Sequence, residues 1–89
     1  MSEQRIALMK EKLALLQPLQ LEINDDSHHH VGHAGADNGG HFSLLMVSEQ
    51  FVGKNLVQRH RMVYDALGDL MQTHIHALSI RALTPEEHN

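Results

Sequence analysis

The sequence predicts an α+β sandwich, a three-stranded sheet covered on one face by helices, in the order helix, strand, strand, helix (or two helices), strand. Three observations carry this: two apolar stripes at helical spacing, three short runs of period-two alternation, and a polar segment rich in glycine and histidine between the first two runs. With 89 residues there is room for one core, so a single domain over 1–89 is expected and a two-domain enzyme is excluded.

From Glu3 to Gln17 the residues Ile6, Met9, Leu13 and Leu16 recur at helical spacing, while Glu3, Lys10, Glu11 and Lys12 supply a wet face. Ser2 is an N-cap candidate and Pro18 a stop. Leu19, Leu21 and Ile23 then alternate with Gln20, Glu22 and Asn24, the pattern of a strand with one buried face, closed by Asp25 and Asp26. Ser27 to Gly40 holds four glycines and four histidines without hydrophobic period and reads as a long loop. His41 to Ser48 places Phe42, Leu44 and Met46 on one side and Leu45 and Val47 on the other, a strand expected to pair antiparallel with the first.

Gly53 breaks the pattern with room for a short extra turn, and Asn55 can cap a second helix with a stripe of Leu56, His60, Val63, Leu67 and Leu70 or Met71, weakened at Gly68. His76, Leu78 and Ile80 alternate with Ala77, Ser79 and Arg81 in a third strand. Thr84-Pro85-Glu86-Glu87 has the form of a capping box, with only a helical stub to follow.

Composition narrows the function. The aromatic residues are Phe42, Phe51 and Tyr64, too few for a stacking platform that would hold single-stranded nucleic acid. Seven basic against eleven acidic residues give a net charge of -4, which repels a polyanion unless the bases cluster. Nine histidines stand out, and cysteine is absent, so thiolate-requiring metal chemistry must take its sulfur from a second molecule. The opening residues lack the form of a signal peptide, and no apolar run approaches the ~20 residues that span a bilayer. A cytoplasmic protein without membrane contact is expected.

The segment Ser27-His28-His29-His30-Val31-Gly32-His33 can place two imidazoles on one ion such as Zn, Cu, Ni or Fe if it folds back, or it is a solvated polar loop. His76, on the side of the third strand expected to carry Leu78 and Ile80, is either a strand-end residue held by a backbone hydrogen bond or a ligand pointing from a rigid element. Arg59-His60-Arg61 with Lys54 is the basic cluster. Consecutive helical residues splay by ~100°, so Arg59 and Arg61 face different ways, and a structural or docking role fits better than groove reading. Without cysteine, a Gly-x-Ser-x-Gly turn or a phosphate-cradling glycine loop, nucleophilic catalysis has no candidates, and no enzyme is expected.

Phe51-x-Gly53-x-x-Leu56-x-x-Arg59-His60-Arg61-x-x-Tyr64, followed by Ile75-His76-Ala77-Leu78-Ser79-Ile80 and Thr84-Pro85-Glu86, resembles the BolA family, and the likeness extends upstream through Leu21-Glu22-Ile23, the Ser27 to His33 loop and Gly40-His41-Phe42. The resemblance implies a fold similar to the class II K-homology domain. It further implies a monothiol glutaredoxin partner and a shared 2Fe-2S cluster, also held by the glutaredoxin cysteine and a glutathione thiol, with no cofactor in the isolated protein. In that picture His76 is a ligand and the loop supplies a second, His30 by the Ser-x-x-His pattern, with His33 a near-equal choice. His41 is a third possibility for which a structural role is preferred. Two imidazoles in place of two thiolates on one iron raise a cluster's potential. Some family members are linked to transcriptional control, so DNA binding is the alternative, with Lys54, Arg59 and Arg61 as contacts. The Gly-x-x-Gly clamp of K-homology domains is missing, since Lys54, Asn55 and Leu56 follow Gly53.

Overall fold

The computed structural model describes residues 2–26 and 40–88. Helix α1 (Ser2–Leu13) tightens into a 3₁₀ turn at Ala14–Leu16 and ends where Gln17 takes a left-handed φ of 51°, its N–H bonded to the Ala14 carbonyl. The helical segment therefore ends just before Pro18, the expected stop. Met9, Leu13 and Leu16 are buried, with Ile6 packed against them. The predicted stripe thus faces the core, although its final turn has 3₁₀ geometry.

Strands β1 (Gln20–Asp25), β2 (Gly40–Val47) and β3 (Ile75–Leu83) form one sheet in the order β1-β2-β3. β1 and β2 pair antiparallel from Gln20 opposite Val47 to Asp25 opposite Phe42, as the alternation predicts. β3 lies parallel to β2, which demands the long crossover that α2 (Leu56–Leu67) and α3 (Leu70–Thr73) supply. A short α4 (Pro85–His88) follows β3, the stub expected from the capping box.

Phe42, Leu44 and Met46 point from the central strand into a hydrophobic core completed by Phe51, Val63, Leu67 and Ala82. On the other face Leu45 is half-buried, while Ser79 and Arg81 are exposed. Leu19, assigned to the buried face of β1, lies outside the strand and is 63% exposed. Ser48 ties the layers together: its hydroxyl, fully buried, donates to the Leu16 carbonyl at 2.6 Å and accepts from the Gln50 N–H.

The second helix departs from the expected stripe in two ways. Its buried residues are Arg59, Val63 and Leu67, while Leu56, at the first helical position, is 66% exposed and His60 only half-buried. The helix also stops at Gly68, whose φ of 55° suits glycine, so Leu70 belongs to the separate α3. Asn55 caps α2 as predicted, accepting from the Gln58 N–H at 2.8 Å while the Gln58 side chain accepts from the Asn55 N–H. The short turn expected near Gly53 is the 3₁₀ turn Glu49–Phe51.

Candidate functional site

The geometry of the histidines follows from a break in the β2–β3 register. Gly40 pairs with Ile75, but His41 pairs with Ala77, so β3 carries one residue more than its neighbour at His76. Such an extra residue resets the alternation of the strand. Ile75, 4% exposed, and Leu78 both belong with the core although three positions separate them. The expectation that His76 shares the side of Leu78 and Ile80 is therefore corrected: His76 is exposed, and its ring lies against His41, which pairs with Ala77 rather than with Leu78.

The two imidazole centroids are 4.9 Å apart with planes tilted by 45°. His41 is half-buried on the central strand, and its Nε2 is shielded from solvent. Its carbonyl accepts from the Asp26 N–H at 2.7 Å, and the Gly40 N–H donates to the His74 carbonyl at 3.1 Å. Asp26 and Gly40, the described residues on either side of the histidine-rich segment, are thus both held beside the His41–His76 pair. His30 and His33 lie outside the described residues. A depression lined by Asp26, His41, Phe42, Ala77, Leu78 and Ser79 adjoins the pair. Among the described residues, no three His, Asp or Glu side chains are arranged to hold a metal ion. An ion or cluster placed against His76 therefore needs further donors from outside these residues.

The basic cluster divides. Arg59, weighed as a phosphate contact, is 7% exposed and turned inward. Its Nε donates to the Lys54 carbonyl at 2.9 Å and its Nη1 to the Ala82 carbonyl at 3.0 Å, while Nη1 and Nη2 grip the Glu87 carboxylate at 2.6 and 3.2 Å. This corrects the reading of Arg59 as a nucleic-acid contact, because its guanidinium is spent on joining α2, β3 and α4. The structural role weighed for the triplet is what Arg59 performs. Glu87 also accepts from the Thr84 N–H at 2.9 Å, closing the predicted capping box. The hydrogen bond from Arg59, then that from Thr84, lowers its carboxyl to about 2. Lys54 and Arg61 are exposed and line a depression with Gln58, Met62 and Asp65.

Two partnerships were beyond sequence reasoning. Thr84-x-x-Glu marks Glu87 as a capping residue, but nothing in the string joins it to Arg59, 28 positions away. Nor does any local signal report the bulge that sets His76 beside His41.

The chain matches the family model described as BolA-like protein over residues 13–87. It is 47% identical to Protein BOLA1, chloroplastic, of Arabidopsis thaliana over 90 residues, covering 96% of this chain and 56% of that protein. With SufE-like protein 1, chloroplastic/mitochondrial, of the same plant it shares 48% identity over 89% of this chain but spans only 23% of the relative. The DNA-binding transcriptional regulator BolA of Escherichia coli (strain K12) is 39% identical, with 89% of this chain and 74% of that protein covered. Among solved structures, BolA1 from Arabidopsis thaliana superposes with a TM-score of 0.80 at 44% identity, covering 93% of this chain and 94% of that one. Sequence, sheet order and helix placement agree, and the chain belongs to the BolA-like family.

Proposed function

We propose that the protein is a non-enzymatic iron-sulfur adaptor that partners a monothiol glutaredoxin and supplies imidazole ligands to a 2Fe-2S cluster shared with it and with glutathione. The observation that carries the reading is His76, an exposed imidazole on a strand, near Asp26 and Gly40, which flank a histidine-rich stretch of sequence in a chain without cysteine. Neutral imidazole is a competent ligand for iron, and the thiolates that the cluster also requires come from the partner and glutathione. His30 is the assigned loop ligand and His33 its competitor. The shared glutathione requires a thiol-reducing compartment, and the cytoplasm is the assigned one. Among the described residues no helix is long and apolar enough to cross a membrane.

The test is a titration of the protein into a monothiol glutaredoxin carrying its 2Fe-2S cluster, followed by visible circular dichroism. A saturable change near one-to-one stoichiometry, lost in His76→Ala, is expected. An unchanged spectrum with the cluster intact, or a His76→Ala variant that behaves as wild type, overturns the assignment.

A DNA-binding role is the second reading, favoured by the name of the Escherichia coli relative and by the exposed Lys54 and Arg61, which line one depression beside α2. Phosphate contacts predict binding that weakens with salt, with log K falling by about 0.9 per log unit for each contact. Replacing Lys54 and Arg61 together removes that binding on this reading, and binding that survives counts against it.

A further inference from the structure

His76 occupies the extra position of an edge strand, where regular pairing with the next strand is interrupted. An exposed side chain at such a place ordinarily exchanges among staggered rotamers on a nanosecond scale. Here its ring meets that of His41 at a distance and tilt typical of favourable ring pairs. The two rings are unequal. His41 stands in the central strand, half-buried, with its Nε2 enclosed and its carbonyl tied to the Asp26 N–H, so its position is set by the sheet. His76 is the ring that a second molecule can reach.

We propose that His41 is a positioning residue for His76: its ring is a backstop on the rigid central strand that limits the rotamers of the exposed imidazole and so aims its nitrogen outward. This rests on the reading of His76 as the ligand and deepens it by naming what directs that ligand. A cluster carried by another protein requires a nitrogen it can approach, and the Nε2 of His41 is enclosed whereas His76 is exposed. Prior restriction of His76 lowers the ordering cost of binding, which for one side chain corresponds to about three- to tenfold in affinity.

Two measurements test this, the first without any cluster. In the free protein, three-bond couplings from the His76 backbone N and C′ to Cγ report its χ1. One dominant rotamer is expected in the wild type, averaging in His41→Ala, and one rotamer again in His41→Phe, which keeps a ring at the site. Averaged couplings in the wild type, or couplings unchanged in His41→Ala, overturn the proposal. His41→Phe largely preserves volume, so a folding defect of the alanine variant does not hide the result.

The second measurement uses the mixed complex with cluster-loaded glutaredoxin. His41→Ala is expected to weaken assembly about three- to tenfold and His41→Phe to restore it. In both variants pulsed electron paramagnetic resonance of the reduced cluster retains the coupling to the His76 nitrogen. A histidine-nitrogen coupling lost in His41→Ala, distinct from the one lost in His76→Ala, makes His41 a ligand and overturns the positioning role. If the wild type forms no mixed complex while the χ1 series behaves as expected, the cluster reading fails and the ring positioning stands.

Discussion

Replacing Arg59 by methionine tests the most consequential assignment in the fold, because two arginines two positions apart on one helix are predicted to behave oppositely. Methionine keeps much of the apolar stem and removes every donor. The fully buried hydrogen bond to the Ala82 carbonyl and the part-buried one to the Lys54 carbonyl are then lost. Bonds from charged donors contribute about 2 kcal/mol when buried and about 1 when partly exposed, so the loss is about 3 kcal/mol before Glu87 is counted. A chain of this size is stable by roughly 4–13 kcal/mol, so the variant folds but surrenders a large share of its margin. In urea, with a slope of about 1–1.5 kcal/mol/M, the midpoint falls by about 2–3 M. Arg61→Met, on the exposed flank of the same helix, changes stability by less than about 0.5 kcal/mol. Coincident midpoints for the two variants would refute the claim that Arg59 is structural and Arg61 is not.

Two further outcomes follow from the same architecture. Glu87 has its carboxyl lowered from 4.5 to about 2 in the folded protein, so its stabilising contribution is fully present above about pH 4.5 and is lost as the pH falls through about 2. The difference in melting temperature between wild type and Glu87→Gln is therefore expected to hold steady above pH 5 and to shrink toward pH 2; a gap independent of pH contradicts the pairing. At Gly40, an added Cβ would overlap the ring of Phe42, itself 2% exposed and packed in the core. Gly40→Ala should cost about 1–3 kcal/mol by displacing that ring, read from urea midpoints, and a neutral result would show that the ring has room to move.

Much of the architecture was legible in the chain. The stripe Met9, Leu13 and Leu16, the alternation of Phe42, Leu44 and Met46, and the cap at Asn55 depend on periods and turn chemistry that a local stretch of residues sets by itself. The antiparallel pairing of β1 with β2 followed from the same alternation. The family motif, being local, was legible too, and His76 was singled out from it.

The sequence by itself determined the order of helices and strands and, for α1 and β2, which face turns to the core, because helical and strand periods are written into residue spacing. Only the tertiary structure decided the extra residue of β3, which turns His76 away from the face of Leu78 and sets it against His41. The end of α2 at Gly68 and the inward course of Arg59 to Glu87 were settled there as well. Strand register and an ion pair across 28 positions depend on how separately encoded elements meet, and that meeting minimises the free energy of the whole core rather than of any one stretch.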